Sequence, residues 1–377
     1  MVNRTFQDFE LPQLGFGAMR LPVLEGTEGQ IDEPQAAQMV AYAMEHGVNY
    51  FDTAWAYHGG ESENVMGRVL KAYPRDSFYL ASKFPGYDLA NMGKTQEIFE
   101  KQLQKCQVEY FDFYLIHNVC ELNIDAYLDR SYGTYEYLME QKRAGRIRHL
   151  GFSAHGSVEV MERFLDEYGA DMEFCQIQLN YLDYDFQDAR GKLELLRRHN
   201  IPAWIMEPLR GGRLANLDEA ETARLAALRP QESAVGMAFR FVQSLPGIVV
   251  TLSGMSNFDQ LKANIATFET DEPLNGHEMD EVLSLAHDMT AKTSVPCTAC
   301  RYCTDHCPQG LDIPTLLAHY NEYNFTNGGF LPMFAVKALD EDKRPSACLG
   351  CGACAAVCPQ AIDIPAALAD FTEKLGF

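Results

Sequence analysis

The chain has 377 residues, a length that suggests two domains, and its 47% hydrophobic content is enough for a large core. A formal net charge of −22 excludes duplex nucleic acid as a partner, because the phosphates would be repelled. The first residues lack the pattern of a secretory leader, and no apolar run is long enough to span a bilayer. We therefore expect a cytoplasmic protein with no membrane partner.

Short apolar runs alternate with amphipathic stretches over residues 14–268, and each alternation predicts a strand followed by a helix. The predicted strands are 14–19, 49–52, 78–83, 113–117, 149–153, 174–178, 203–206 and 248–253. The helices that follow them are 34–46, 63–72, 95–106, 132–144, 158–168, 191–200, 233–242 and 258–266. Eight such units predict an α/β fold, most economically a closed (β/α)8 TIM barrel. A doubly wound sheet is the alternative, but no G-x-G-x-x-G sequence follows the first strand.

Polar residues lie at the C-terminal ends of consecutive predicted strands, where barrels of this kind carry out their chemistry. A carbonyl reduced by hydride needs a proton at its oxygen, and Tyr57 can supply one if its anion is stabilised. Lys83 can stabilise that anion, and Asp52 can hold Lys83 in place. A neutral His117 can orient the carbonyl oxygen. Each residue alone is more often an ordinary polar group, but the set of four predicts a catalytic site.

At these residues the chain resembles the aldo-keto reductase family, over nearly all of residues 5–290. The stretches that carry the resemblance are Phe51-Asp-Thr-Ala54 with Tyr57, Ser62-Glu63, Ala81-Ser-Lys83 and Leu115-Ile-His117. The resemblance implies an oxidoreductase that acts on a small-molecule carbonyl substrate. By this resemblance Tyr57 is the proton donor, Lys83 and Asp52 tune it, and His117 aligns the substrate.

The same resemblance implies a nicotinamide dinucleotide, NAD or NADP, at the barrel mouth. Position by position, Ser153 and Gln176 would bond its carboxamide, and Met206 would cover the nicotinamide face. Leu209 and Gly211 would bring backbone N–H groups to the diphosphate. The residues that would hold the adenosine end are Ser253, Gly254, Met255, Gln260 and Asn264.

Several of these positions differ from the family's common pattern. Ala154 stands where Asn is usual, and Met206 replaces a stacking aromatic ring. Glu207 places a carboxylate beside the expected diphosphate site, where it is unfavourable. Gly254 and Gln260 stand where a cationic pair often binds the 2′-phosphate of NADP. We therefore expect that NADP is not strongly preferred over NAD.

Eight of the eleven cysteines form two groups near the C-terminus, each spaced C-x2-C-x2-C-x3-C-P. Three closely spaced thiolates can bind one face of a [4Fe–4S] cubane, while the fourth, followed by Pro, points away to the other cluster. Crossed ligation assigns Cys297, Cys300, Cys303 and Cys358 to one cluster, and Cys348, Cys351, Cys354 and Cys307 to the other. Zinc or a single cluster is the alternative, but zinc sites usually show paired C-x2-C units.

A duplication relates the two cysteine groups, because residues 307–314 match residues 358–365 at a constant offset of 51. Each copy ends in Asp-Ile-Pro, which predicts a helix start with Asp312 or Asp363 as N-cap. Further helices are predicted at 314–325 and 331–339. This tail resembles the all-helical dicluster ferredoxins, as in the iron–sulfur subunits of fumarate reductases. We place the barrel domain at 1–290 and the ferredoxin-like domain at 291–377.

Joining such a barrel to two cubanes raises a question of electron number. A nicotinamide gives a hydride, whereas each cubane passes one electron at a time. In the interpretation we favour, the barrel reduces a carbonyl with nicotinamide and the clusters exchange electrons with a flavoprotein or ferredoxin partner. Alternatively, the clusters reduce a substrate at the barrel mouth without nicotinamide, or the chain is a redox-sensing binding module. A purely structural role for the clusters is a further alternative to all three.

Overall fold

A computed structural model describes residues 1–292 and 294–377. These residues divide into two compact units, Met1–Leu283 and Ser284–Phe377. That division falls inside the helix Gly276–Ala291, whereas the predicted boundary falls at the helix's last turn. The placement of the boundary at residue 290 stays a prediction.

The first unit contains the predicted closed barrel of parallel strands. In chain order its strands are β1 Asn3–Phe6, β2 Phe9–Pro12, β3 Leu14–Gly17, β4 Tyr50–Asp52, β5 Tyr79–Phe84, β6 Phe111–Val119, β7 Ile147–Ala154, β8 Cys175–Gln178, β9 Ala203–Met206 and β10 Ile248–Ser253. Strands β3 to β9 pair in parallel in chain order, and β10 closes the barrel between β9 and β3. Every residue of β10 is buried, which explains why the barrel strands read as continuous apolar runs without alternation.

Strands β1 and β2 form an antiparallel hairpin that the sequence analysis did not predict. Phe6 and Leu11 of this hairpin are buried in the same apolar cluster as Phe113 and Trp204. The Phe6 ring centroid lies 5.7 Å from that of Phe113 and 5.1 Å from that of Trp204. These contacts are near the N-terminal ends of the barrel strands. The hairpin therefore closes that end, and the C-terminal end remains for chemistry.

Helices alternate with the barrel strands as predicted. In chain order they are α1 Glu33–Glu45, α2 Ser62–Leu70, α3 Thr95–Cys106, α4 Ile124–Leu128, α5 Thr134–Arg143, α6 Val158–Tyr168, α7 Asp183–Phe186, α8 Ala189–Arg198, α9 Glu219–Leu228, α10 Ala234–Gln243, α11 Phe258–Thr267 and α12 Gly276–Ala291. The eight predicted helices are confirmed within two residues at each end. Helices α4, α7, α9 and α12 were not predicted. Helix α9 buries little apolar surface, although Asp218 and Glu221 form a capping box at its start.

The second unit is helical, as expected. Its helices are α13 Ile313–Thr326, α14 Phe330–Ala338, α15 Ala353–Ala356 and α16 Ile364–Leu375. The Asp363 carboxylate accepts the N–H of Ala366 at 3.2 Å and caps α16. Asp312 occupies the predicted N-cap position of α13, but its side chain makes no capping bond and instead pairs with Arg301 at 3.2 Å.

The duplicated halves of the second unit pack on each other through equivalent positions. Leu317 and Leu368, related by the offset of 51, are both buried in one apolar cluster. The rings of Tyr320 and Phe371, also equivalent, have centroids 5.6 Å apart. The repeat thus forms one core. Among the described residues, no helix has the length and apolar character that a membrane crossing requires.

Candidate active site and cluster sites

Asp52 and Lys83 form a buried ion pair at the C-terminal ends of β4 and β5. Lys83 Nζ donates to Asp52 Oδ1 at 2.6 Å and to the carbonyl oxygen of Thr53 at 2.9 Å. Burial by itself lowers the pKa of Lys83, but the charges and hydrogen bonds of Asp52 and Tyr57 outweigh it and raise that pKa above its ordinary value. Lys83 is therefore an ammonium in a place that water does not reach.

Tyr57 begins the short 3-10 turn that follows β4, and its hydroxyl faces Lys83. Lys83 Nζ lies 3.4 Å from the Tyr57 hydroxyl oxygen and can donate to it. Burial raises the pKa of Tyr57 although Lys83 opposes the shift, so the phenol keeps its proton at neutral pH. The adjacent ammonium stabilises the phenolate that remains when this proton leaves. A phenol beside an ammonium can act as a proton donor, because the positive charge stabilises the phenolate.

His117 lies on β6 beside Tyr57, with ring centroids 6.5 Å apart and the rings nearly perpendicular. Tyr87 contacts the same imidazole at 5.3 Å. Burial, together with the positive charge of Lys83, lowers the pKa of His117 well below its ordinary value. The ring is therefore neutral at neutral pH, with one donor and one acceptor nitrogen. Among the described residues its Nδ1 has no hydrogen-bond partner.

A buried polar network supports the strand that carries Lys83. The Glu63 carboxylate accepts from Ser82 Oγ, from Gln102 Nε2 and from Lys105 Nζ, each at 2.7 Å. Gln102 Nε2 also lies 3.0 Å from the carbonyl oxygen of Lys83. Sequence reasoning missed Gln102 and Lys105. Their spacing on α3 could have indicated a polar stretch facing the barrel, but nothing in the sequence shows where Glu63 points.

The residues predicted to bond the nicotinamide carboxamide lie on adjacent strands, with Ser153 paired in register with Gln176. The Ser153 hydroxyl accepts the backbone N–H of Asn118 at 2.8 Å. Gln176 Nε2 lies 3.5 Å from the Met206 sulfur, and its buried Oε1 has no partner among the described residues. An unpaired buried acceptor beside Met206 suits a ligand with an amide N–H group. These residues therefore fit the nicotinamide end of a dinucleotide.

The residues predicted for the adenosine end lie at and after the end of β10. Asn264 Nδ2 donates to Ser253 Oγ at 3.0 Å, and both side chains are buried. Gln260 Oε1 accepts the N–H of Ser256 at 2.8 Å, so the Gln260 side chain is bonded to the loop that precedes its own helix. Met255 is buried, whereas Gly254 is exposed. The structure brings this set together, but several of its polar groups already bond one another.

The loop after β9 contains the predicted diphosphate contacts. Leu209 is partly buried, and Gly211 is exposed with a φ of 63° that favours glycine. Glu207 precedes them, also in the left-handed region at 55°, and Asn180 Nδ2 donates to its carbonyl oxygen at 2.9 Å. Arg20 Nη2 lies 4.0 Å from Glu207 Oε1. The sequence analysis did not name Arg20 as a site residue. Its position directly after the first predicted strand could have indicated that it lies at the mouth of the barrel.

Two recesses in the second unit are each lined by four of the paired cysteines. The cysteines that line one recess are Cys297, Cys300, Cys303 and Cys358. The cysteines that line the other are Cys307, Cys348, Cys351 and Cys354. Each recess thus collects three thiols from one group and the fourth from the other, as crossed ligation requires.

Each recess contains four thiols, which is the number and kind of ligand that a [4Fe–4S] cubane uses. The four thiolates of a cubane bind different irons and so stand further apart than the ligands of a single metal ion. Burial, with the neighbouring thiols, raises the pKa of Cys303 to about 11, and binding of iron would require loss of its proton.

Comparison with known proteins agrees with both units. The family model for aldo/keto reductases matches residues 13–287. The chain belongs to the aldo/keto reductase family. A second model, for the 4Fe-4S dicluster domain, matches residues 296–362. This aldo/keto reductase is therefore an oxidoreductase with an iron–sulfur domain.

Three similar proteins illustrate how far the likeness extends. An aldo-keto reductase of Mycolicibacterium smegmatis is 28% identical over 73% of this chain and 90% of its own. The NADH-specific methylglyoxal reductase of Escherichia coli is 25% identical over 55% of this chain and 66% of its own. The holo form of an aldo-keto reductase from Bacillus halodurans covers 76% of this chain and 96% of its own, with a TM-score of 0.61 and 25% identity.

Proposed function

We propose that this aldo/keto reductase reduces a small-molecule carbonyl compound with a nicotinamide dinucleotide, and that two [4Fe–4S] clusters in its second unit exchange electrons with a protein partner. The observation that carries the catalytic part is the connected set Asp52–Lys83–Tyr57. Lys83 Nζ lies 2.6 Å from Asp52 Oδ1 and 3.4 Å from the Tyr57 hydroxyl oxygen.

The dinucleotide supplies a hydride to the carbonyl carbon when it is bound. Tyr57 then gives its proton to the carbonyl oxygen, because it is the protonated group beside a cation. Lys83 stabilises the phenolate, and Asp52 keeps the Lys83 ammonium charged and aimed at Tyr57. His117, neutral and next to Tyr57, donates a hydrogen bond that orients the carbonyl oxygen. Proton donation of this kind contributes roughly 10²–10⁴-fold to the rate.

The unpaired Gln176 Oε1 and the glycine-containing loop after β9 support a nicotinamide dinucleotide as the reductant. NADP is not strongly preferred, because Gly254 has no side chain and Gln260 Oε1 is bonded to the N–H of Ser256 at 2.8 Å. Lys262 is close in sequence, but its ammonium lies over the rings of Tyr42 and Phe258, at 5.7 and 5.5 Å from their centroids. The NADH-specific relative from Escherichia coli agrees with this proposal.

The two thiol-lined recesses support two cubanes with crossed ligands, each cubane passing one electron at a time. In each recess the second cysteine of the run, Cys300 or Cys351, is exposed, whereas Cys303 and Cys354 are buried in one apolar cluster. The exposed edges are where a partner could approach. A flavoprotein suits such a partner, since a flavin converts between hydride and single electrons, and a ferredoxin is the other candidate.

The test uses the full chain, purified and handled without oxygen. Oxidation of NADH or NADPH that depends on an added aldehyde would support carbonyl reduction. Bleaching of the broad visible absorbance of the clusters on adding either dinucleotide would link the clusters to the barrel. If neither dinucleotide binds, the proposal is wrong, and direct reduction of a substrate by the clusters becomes the better interpretation.

A further inference from the structure

Tyr57 is followed by three consecutive residues whose backbone lies in the left-handed region. Their φ values are 51° at His58, 64° at Gly59 and 94° at Gly60. Glycine adopts such values at little cost, whereas a histidine at such a φ is strained. Strain of this kind persists only where the surrounding structure holds it, and it is concentrated at functional sites. The His58 side chain must therefore make contacts that offset the strain.

The His58 imidazole makes these contacts with the chain that follows β3. Its Nε2 accepts the backbone N–H of Leu21 at 3.0 Å, just after the short 3-10 turn Ala18–Arg20. Burial lowers the pKa of His58, although a hydrogen bond to the backbone of Gly29 opposes the shift. The ring is therefore neutral at neutral pH, and a neutral imidazole has one acceptor nitrogen. The bond to Leu21 uses that nitrogen.

The segment around Tyr57 is bonded to its surroundings at three points. The Tyr57 N–H donates to the carbonyl oxygen of Ala54 at 3.2 Å, on the side of β4. Ser62 Oγ, at the start of α2, donates to the carbonyl oxygen of Ala18 at 2.9 Å. The third point is His58, and the two glycines that follow it have no side chains. His58 therefore provides the side-chain anchor directly next to the phenol.

The Tyr57 hydroxyl requires such an anchor because its contact with Lys83 is long. Lys83 Nζ lies 3.4 Å from the Tyr57 hydroxyl oxygen but only 2.6 Å from Asp52 Oδ1. The ammonium also donates to the carbonyl oxygen of Thr53 at 2.9 Å, so it stays in place if the Tyr57 turn shifts. A misplacement of about 1 Å can slow a reaction about a hundredfold.

We propose that His58 is a positioning residue, whose hydrogen bond to the Leu21 backbone holds Tyr57 where its proton is transferred. This inference rests on the proposed role of Tyr57 as proton donor. The imidazole accepts one N–H and transfers no proton, so it acts through the position of the phenol. His58 therefore affects the proton-transfer step and not the binding of the dinucleotide.

Two replacements of similar size test this hydrogen bond in the full, cluster-containing chain. His58→Leu removes the acceptor, whereas His58→Gln keeps an amide oxygen that can stand close to the position of Nε2. Both variants need the same left-handed backbone, so their difference reports the hydrogen bond and not the strain. We expect His58→Leu to lower kcat with acetaldehyde or benzaldehyde about ten- to a hundredfold, and His58→Gln to recover most of that loss. The dissociation constant of the dinucleotide should stay within about threefold of the wild-type value in both.

The solvent deuterium isotope effect distinguishes positioning from a general loss of stability. A displaced phenol slows proton transfer, so the ratio of kcat in water to kcat in heavy water should rise in His58→Leu. Partial unfolding would lower the amount of active protein and leave this ratio unchanged. His46→Leu is the matched control, because His46 also bonds a backbone group, the carbonyl oxygen of Tyr42 at 2.8 Å, but lies at the end of α1 that precedes β4. Its kcat and its ratio should equal those of the wild type.

Three results would overturn the positioning role while leaving the proposed function intact. They are a wild-type kcat in His58→Leu, an isotope ratio in His58→Leu equal to that of the wild type, and a His58→Gln variant as slow as His58→Leu. A wild-type chain that reduces neither aldehyde with NADH or NADPH would overturn the proposed function together with this inference.

Discussion

Lys83 carries its charge in a position where the side chain is 0% exposed, and its partner Asp52 is 3% exposed. Removing two charges from water is costly, and a buried pair is tolerated when the geometry is good and the remaining protons find acceptors. Here the Lys83 ammonium bonds Asp52, the carbonyl oxygen of Thr53 and Tyr57. This cost fits the catalytic role proposed for the pair, since one of the three bonds goes to Tyr57, the proposed proton donor.

Replacing Tyr57 by Phe removes the transferable proton and little else. We expect reduction of a test aldehyde to fall by about 10²–10⁴-fold, because the phenol acts in the transition state. The dissociation constant of the dinucleotide should stay within a few-fold of the wild-type value. Steady-state rates and a binding titration on the same protein check both expectations.

Tyr87→Phe is the control for this prediction. Tyr87 contacts the same His117 ring at 5.3 Å, so it shares the surroundings of Tyr57. Loss of its hydroxyl should change the rate only a few-fold. Equal rates in Tyr57→Phe and wild type would mean that another group supplies the proton.

Among the elements, the N-terminal hairpin is joined to the barrel by one acidic residue as well as by its buried apolar side chains. The Glu173 carboxylate, just before β8, accepts from Gln7 Nε2 in the hairpin turn at 2.6 Å. It also bonds His149 Nδ1 at 2.8 Å and Lys142 Nζ at 2.6 Å. Burial opposes ionisation, but these three partners outweigh it and lower the pKa of Glu173 to about 2.

A lowered carboxyl pKa stabilises the folded state above the carboxyl's ordinary pKa, and this stability is lost as pH falls toward the folded value. For Glu173 the loss should run from about pH 5 down to about pH 2 and amount to about 3 kcal/mol at most. Glu173→Gln should therefore lower the free energy of unfolding at pH 7 and flatten its decline in acid. Urea unfolding followed by tryptophan fluorescence measures this in the barrel alone, because both tryptophans lie there.

Glu97→Gln is the comparison variant for Glu173. Glu97 forms an exposed pair with Lys101 one helical turn away, at 2.7 Å, and such solvent-screened pairs contribute little to stability. A Glu173→Gln variant no less stable than Glu97→Gln at pH 7 would contradict the role assigned to Glu173.

The cysteine repeat makes a prediction that single substitutions cannot test sharply. If ligation is crossed, Cys297→Ala and Cys358→Ala remove the same cluster, since both thiols line one recess. The double variant of these two should keep about half of the wild-type iron. Combining Cys358→Ala with Cys348→Ala should remove both clusters, because Cys348 lines the other recess.

Iron and sulfide analysis after anaerobic reconstitution distinguishes these variants. The reverse pattern, with half of the iron kept in the Cys348 and Cys358 double variant, would mean that each group binds its own cluster. Cys106→Ala is the control, because Cys106 is buried in α3 of the barrel and should leave the iron content unchanged.

At the scale of the whole molecule, the chain combines an aldo/keto reductase barrel with a helical 4Fe-4S dicluster unit. We expect the protein isolated without oxygen to be brown and to contain about eight iron and eight sulfide per chain. Metal and sulfide assays on the reconstituted protein check this number. About four iron per chain after full reconstitution would exclude one of the two clusters, and tightly bound zinc would exclude both.

The elements that the sequence predicted are those whose signal is local. The alternation of apolar runs with amphipathic stretches predicts β3 to β10 and the eight helices that follow them, because a buried strand and a half-buried helix each require a characteristic spacing of apolar residues. The spacing of the cysteines likewise predicts two sites, since neighbouring ligands must reach one cluster. The order Asp52, Tyr57, Lys83, His117 predicts the site, because the ends of parallel strands meet at one rim of a barrel.

Only the tertiary structure decided which distant side chains meet. Arg20 and Ser256 lie 236 positions apart, yet the Arg20 carbonyl oxygen accepts the Ser256 hydroxyl, and the Arg20 guanidinium lies beside Gly211. The hairpin was missed because its turn contains Gln7 with a positive φ in place of a glycine. Local periodicity determines which face of an element is buried, whereas these contacts depend on the direction of single side chains after the barrel has closed.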